Sequence, residues 1–331
     1  MDRKFLIMEQ YLPNQTGYSC RKNPDNTPLI SVIIPAYNTD KTITHCLRSV
    51  FAQTYPNIEV IFVDDGSSDQ TGHIADAVSA KNPQMHIFHI AHHGLAMARN
   101  TGLENAAGEF IFFMDADDWI EPDTLQDLYE QIIAYDADMA MTGTVTETDD
   151  GLEISKTHDL KKRMNRDEYL ACYTLRESAE YVRVWGKLFK KDLFHNVVFP
   201  AGKRHEDVYV FPALYRNVKR VAFSDRYGYH YVQQAGSIMH SAPSLQTFDA
   251  VDAACAVFDD FLEAGYTKLL PGAEGKIYAA MRRMPAGSGF ARYYLEAKGK
   301  HLLRIRQLKK LHLYPLRSQV RNVLFYAGVM R

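Results

Sequence analysis

Short, continuously apolar runs alternate with helically spaced apolar residues through the first half of the chain. Leu29 to Ile34 is a largely apolar, β-branched run stopped by Pro35. From Thr42 to Gln53 the apolar residues Ile43, Cys46, Leu47 and Val50 recur on one helical face. Ile58 to Val63 is a second run, closed by Asp64-Asp65-Gly66-Ser67-Ser68-Asp69, and Ile74, Ala75 and Val78 suit the helix after it. The same alternation predicts a strand over Met85 to Ile90, a helix over Leu95 to Glu104, a strand over Phe110 to Met114 and a helix over Thr124 to Ala134. Met139 to Thr142 suits one more strand.

Strands apolar on both faces, alternating with helices, predict an α/β fold: a Rossmann-like, mostly parallel sheet covered by helices on two sides. Right-handed crossovers bring the carboxyl ends of parallel strands to one edge. Three polar clusters fall at that edge: Pro35-Ala36-Tyr37-Asn38, Asp64 to Asp69, and Asp115-Ala116-Asp117-Asp118. Ligands of α/β sheets bind there.

The pattern divides the chain into four stretches. Residues 1–28 are a polar lead-in, and 29–145 carry the strand–helix alternation. Residues 146–243 are looser and aromatic, with a polar loop or hairpin from Glu147 to Leu160; 244–331 read as a helical C-terminal region. At 46% hydrophobic and 24% charged residues, the chain has the composition of a globular protein with a real core. Its net charge of −2 hides an asymmetry. From Ala297 onward there is no Asp or Glu, while Lys298, Lys300, Arg304, Arg306, Lys309, Lys310, Arg317, Arg321 and Arg331 are basic. Leucines interleave with these cations, so residues 298–331 suit an anionic membrane surface, or a helix packed on the domain with a solvated basic face. Nucleic acid is not expected as a partner.

Four cysteines lie far apart, with no Cys-x-x-Cys spacing for a zinc site. The first eighteen residues carry charges and no signal-peptide core, and no apolar run is long enough to span a bilayer. A cytoplasmic location is the expectation.

The acidic strand end at Asp115 and Asp117 points to a hard divalent cation that also touches phosphate oxygens. A capped, Asp-rich turn is its plain alternative. At Asp64 to Asp69, Asp69 caps a helix and Asp65 faces ligand, accepting hydrogen bonds from a base or ribose. Neither a P-loop nor a Gly-x-Gly-x-x-Gly fingerprint is present, which argues against ordinary ATP hydrolysis and standard NAD binding. Arg204-His205-Glu206-Asp207-Val208 offers carboxylates for general-base work or for a helix N-terminus. It is not a zinc-protease motif, because Tyr209 stands where the second histidine is needed.

Four blocks together resemble the family 2 glycosyltransferases: residues 31–38 (SVIIPAYN), 63–71 (VDDGSSDQT), 93–102 (HGLAMARNTG) and 114–118 (MDADD), in that order. The resemblance implies a GT-A fold and inverting transfer of a sugar from a nucleotide-diphosphate donor, UDP-linked by expectation. It places Pro35, Ala36, Tyr37 and Asp65 in the base and ribose pocket, under a loop at His93-Gly94-Leu95. It sets Asp115 near ribose and metal and makes Asp117 a ligand of Mn2+ or Mg2+. Arg99 either touches ligand or pairs with a carboxylate inside the domain.

The resemblance continues through Trp185-Gly186-Lys187-Leu188-Phe189 and Glu206-Asp207-Val208, making Asp207 the base with Glu206 in support. It gives Trp185 a sugar-stacking wall or a core place, and Lys187 a phosphate contact or a surface place. His240 becomes a metal ligand or a phosphate contact. A saccharide or lipid-linked acceptor in surface-polysaccharide or glycolipid assembly, met at the inner face of the plasma membrane, follows by family analogy. A nucleotidyltransferase making a nucleotide sugar is the alternative, although Pro35-Ala36-Tyr37-Asn38 is a poor triphosphate loop. A non-catalytic nucleotide-sugar-binding protein is another.

Overall fold

The structure, a computed structural model, describes residues 27–148, 151–154, 162–176, 178–233, 248–284 and 290–326. Strands β1 (Ile30–Ala36), β2 (Ile58–Asp64), β3 (Met85–His89) and β4 (Phe110–Phe113) pair in parallel in the order β3-β2-β1-β4. Helices α1 (Ile43–Phe51), α2 (Thr71–Ser79) and α3 (Leu95–Asn105) connect them. Ile33, Phe62 and Phe112 have no exposed surface, as expected for strands covered on both faces. Each such side chain stabilises the fold by about 1.5–3 kcal/mol. On α1 the predicted stripe of Ile43, Cys46, Leu47 and Val50 is buried.

The chain steps outward from β1 to β2 and β3, then returns to the other side of β1 for β4. That reversal opens a crevice at the carboxyl ends of β1 and β4, the usual ligand position in such sheets. Beyond β4 the sheet becomes mixed. Strand β5 (Trp119–Ile120) leaves it, helix α4 (Thr124–Tyr135) follows, and β6 (Met139–Met141) returns. The expected loop or hairpin begins as one: β7 (Thr144–Thr148) pairs antiparallel with β8 (Gly151–Ile154). After β9 (Arg163–Asn165), α5 (Arg166–Cys172) and the short α6 (Ala179–Val182), β10 (Lys187–Lys190) runs antiparallel between β4 and β6.

Helix α7 (Glu206–Arg216) precedes β11 (Arg220–Phe223) and β12 (Tyr229–Val232). The large sheet then reads β3-β2-β1-β4-β10-β6-β11-β9, and a second sheet reads β5-β12-β7-β8. The C-terminal region is helical, as expected: α8 (Asp249–Glu263), α9 (Leu270–Arg282), α10 (Ala291–Lys310) and α11 (Leu316–Tyr326). Its interior is partly polar. Glu274 and His301 are wholly buried and meet at 2.8 Å, and Glu274 also accepts from Arg321 and Asn322. The basic end of the chain is thereby fastened into the helical layer. Of the residues described, no helix is long and apolar enough to cross a membrane.

Candidate active site

Three turns meet at the carboxyl edge of the sheet. Pro35 and Ala36 end β1 and are buried, while Tyr37 is exposed and stacks on His92 at 4.0 Å between ring centroids. Asp65 is buried beside them, and its own N–H donates to the Ala36 carbonyl at 2.9 Å. Its carboxylate accepts from the His93 N–H and the Gly94 N–H, each at 2.8 Å. Asp65 thus fixes the 93–94 loop that leads into α3. The approach is tight: Gly66 has φ +72°, and a Cβ on it would fall 2.8 Å from the His92 nitrogen. Only glycine avoids both strain and collision there. Asp69 behaves as a cap, accepting from the Thr71 N–H at 2.9 Å and the Asp40 N–H at 3.1 Å.

The acidic turn after β4 divides its carboxylates by environment. Asp118 is buried and points into the protein, accepting from the Tyr229 hydroxyl at 2.6 Å and the Val232 N–H at 2.9 Å. It ties the turn to β12. Asp117 is partly buried; desolvation, then the charge of Asp115, pushes its carboxyl up to about 6, against slight help from its own backbone N–H. A carboxylate that the protein leaves so weakly compensated suits a cation. Among the described residues no three His, Cys, Asp or Glu side chains converge on one point. A Mg2+- or Mn2+-type ion held by one or two carboxylates completes its shell from water and phosphate, so Asp115 and Asp117 fit that role.

Arg99, on α3, is buried and joins this turn to α7. Its guanidinium donates to Asp115 Oδ1 at 3.0 Å and to Glu206 Oε1. Its Nε is buried, with no hydrogen-bond partner among the described residues. Of the two parts expected of Arg99, the pairing inside the domain is what these contacts display. Burial raises the Glu206 carboxyl, and Arg99 opposes that shift. Asp207, next along the first turn of α7, stays partly exposed, and one of its oxygens accepts from the Val208 N–H at 2.8 Å. His205 enters the helix with φ 61°, turning the chain sharply just before the two carboxylates.

The family model described as glycosyl transferase family 2 matches residues 31–202, just over half of the chain. This chain belongs to glycosyl transferase family 2. It is 34% identical over 217 residues to glycosyltransferase GlyA of Streptococcus pneumoniae, covering 63% of this chain but 31% of GlyA. It is 32% identical over 227 residues to GlyG of the same organism, covering 64% of this chain and 73% of GlyG. The structure of S. aureus TarS 1–349 in complex with UDP-GlcNAc superimposes with a TM-score of 0.71 at 23% identity, over 83% of this chain and 81% of that one. The fold is the GT-A arrangement, a large central sheet flanked by helices.

Three further site residues of this family 2 chain need placing. Trp185 is largely buried, stacked on Tyr229 at 4.5 Å and Tyr231 at 5.5 Å, with the Arg183 guanidinium 4.7 Å from the indole centroid. Lys187 requires a correction, since it neither lies on the surface nor faces a phosphate. It is 1% exposed, and its Nζ donates to the Tyr181 carbonyl at 2.8 Å and to the Arg183 carbonyl, with the Tyr215 hydroxyl 3.4 Å away. Its work is to hold the segment that carries Trp185. His240 lies outside the described residues.

Sequence reasoning missed Tyr229. Its hydroxyl receives the Asp115 N–H at 3.2 Å as well as bonding Asp118, and its ring backs Trp185. A lone tyrosine in an aromatic stretch gives no signal of this. His92 was missed too, although it flanks the 93–102 block and its Nδ1 lies 2.9 Å from Asp65 Oδ2.

Proposed function

We propose that this chain transfers a sugar from a nucleotide-diphosphate donor, UDP-linked, to an acceptor hydroxyl with inversion at the anomeric carbon. The observation that carries this reading is Arg99, which holds the Asp115–Asp117 turn and the Glu206–Asp207 helix start on one guanidinium. Charge binding and proton acceptance are thereby set side by side at the sheet edge. Asp207 accepts the proton of the acceptor hydroxyl as its oxygen bonds to the anomeric carbon. The bond from that carbon to the diphosphate oxygen breaks, and the electron pair leaves with UDP. Glu206, pinned by Arg99, keeps the start of α7 in place. Tyr37 and His92 offer a stacking surface to the base, and Asp65 holds the loop over it. A Mn2+ or Mg2+ ion at Asp115 and Asp117 would supply charge neutralisation to the diphosphate.

Family membership and the glycosyltransferases among the relatives support this reading, as does TarS, whose shared fold holds UDP-GlcNAc. UDP-GlcNAc is therefore the first donor to offer, within a panel of UDP-hexoses and UDP-N-acetylhexosamines. Donor-dependent UDP release, with and without Mn2+, tests the reading. Absence of turnover across the panel with every acceptor class supplied would contradict it.

The same proposal extends to location: a cytoplasmic chain resting on the inner face of an anionic membrane, near a lipid-linked or polysaccharide acceptor. Leu316, Val320 and Val323 lie at i, i+4 and i+7 on α11 and are 75%, 53% and 68% exposed. Exposed Arg306, Lys309 and Lys310 lie on α10, and exposed Arg317 on α11. Lys300, Arg304 and Arg321 are instead paired with Asp252, Asp259 and Glu274. The exposed cations and the exposed apolar stripe have the chemistry of an interfacial surface.

A further inference from the structure

A cavity of about 190 Å3 opens between the loop before α7 and helices α8 and α10. Of the stretches singled out in the sequence, the basic tail reaches it through Lys300. Lys203 belongs to the loop before α7, four residues before Asp207. The loop is fixed to α8 because the Arg204 N–H donates to Asp249 Oδ2 at 3.1 Å. The cavity therefore borders the loop that leads into α7, whose first turn carries the proposed base.

Its polar lining is a ladder of alternating charge. Lys203 Nζ lies 2.9 Å from Asp249 and 3.7 Å from Asp252; Lys300 Nζ lies 2.7 Å from Asp252 and 3.0 Å from Glu296. Each cation sits between two anions, so the lining offers many donors and acceptors with little net charge. Such a surface neither concentrates a phosphate nor repels a neutral molecule. The apolar side of the cavity is aromatic: Phe248 and Tyr293 stand 5.3 Å apart at 40°, and Tyr293 is 37% exposed. An aromatic face attracts the positive C–H edge of a neighbour, as the C–H face of a pyranose presents. Mixed hydrogen-bonding groups opposite an open ring thus match a neutral, polyhydroxylated ring. The size is that of a single sugar unit rather than an oligosaccharide.

We infer that this cavity is an acceptor subsite for a neutral saccharide, stacking one sugar ring on Tyr293 and hydrogen-bonding it to the Asp249–Asp252–Lys300 ladder. The inference rests on the glycosyl-transfer reading and adds where the acceptor sits. The helical C-terminal region is then part of the substrate site, not merely an appendage.

The test uses the full chain saturated with UDP and a probe panel of methyl glycosides of glucose, galactose and N-acetylglucosamine, with cellobiose, lactose and chitobiose. Saturation-transfer NMR and titration read their binding to wild type, Tyr293→Ala and Tyr293→Phe. At least one probe is expected to bind wild type, with about tenfold weaker binding to Tyr293→Ala and near-wild-type binding to Tyr293→Phe, which keeps the ring. UDP affinity, measured by calorimetry on each variant, reports that the chain is folded. Equal probe binding by wild type and Tyr293→Ala, or no binding by any probe, would overturn the subsite. Failure of wild type to bind UDP or to turn over any UDP-sugar would instead strike the transfer reading itself, so the two failures are distinguishable.

Discussion

The Arg99 guanidinium lies 3.0 Å from Asp115 Oδ1, and its other terminal nitrogen goes on to Glu206. One buried cation therefore couples the turn after β4 to the start of α7. Removing it leaves Glu206 buried beside Asp115 and Asp207 with no opposing charge. Arg99→Met is expected to destabilise the fold by roughly 3–5 kcal/mol, as for other broken buried pairs. Urea denaturation checks this. A loss below about 1 kcal/mol would mean that Arg99 does not hold the two carboxylate groups together.

Asp117 has little protein compensation for its charge, which is the basis for assigning it to a cation. Asp117→Asn is expected to weaken UDP binding about tenfold or more in the presence of Mn2+, and to leave metal-free binding nearly unchanged. Calorimetry with and without a chelator reads the difference. Equal affinity for wild type and variant in Mn2+ would remove Asp117 from the metal site.

Lys187 gives a pH signature. Burial pulls its ammonium from the ordinary 10.5 to about 7. Between those values the unfolded chain holds a proton that the folded chain has released, so wild-type stability rises as pH climbs through 7. A methionine has no proton to exchange. Lys187→Met also leaves the Tyr181 and Arg183 carbonyls without their donor, a cost of roughly 2–4 kcal/mol. The destabilisation by Lys187→Met should therefore grow between pH 6 and pH 9 (roughly the range that brackets the shifted value). Denaturation curves at both ends check it, and a penalty that shrinks with rising pH would contradict the assignment.

Removing residues 298–331 to test membrane attachment would also remove His301 and Arg321 from around buried Glu274. Surface substitutions avoid that. Leu316→Ser combined with Val320→Ser and Arg317→Gln should reduce flotation with phosphatidylglycerol vesicles about tenfold or more, given roughly 1 kcal/mol per basic residue at such a surface. Unchanged flotation of the variant, or none of wild type, would refute the interfacial assignment.

The sheet edge was legible because apolar runs that stop at carboxylates mark strand ends directly; Asp65, Asp115 and Asp117 all lie where that pattern puts them. Helix α3 was legible from its spacing, but Arg99 and Glu206 are 107 residues apart, and local sequence carries no trace of their pairing. Lys187 misled because a lysine in a motif suggests an exposed charge, whereas three oxygen atoms here surround it in the interior. The antiparallel insertion of β10 between β4 and β6 likewise depends on tertiary pairing that periodicity does not encode. In the basic tail, leucine and lysine spacing indicates helices but not which cations are paired within the layer. Glu274, far upstream on α9, decides that for Arg321.

The account turns on Asp207 as the group that accepts the acceptor's proton. The most direct measurement compares wild type with Asp207→Asn for acceptor-dependent UDP release from the accepted UDP-sugar, with UDP affinity measured in parallel. Asn cannot take up that proton but keeps the size and the start of α7. Turnover is expected to fall by about two to four orders of magnitude while UDP affinity stays within about twofold. Wild-type turnover by Asp207→Asn would contradict the account.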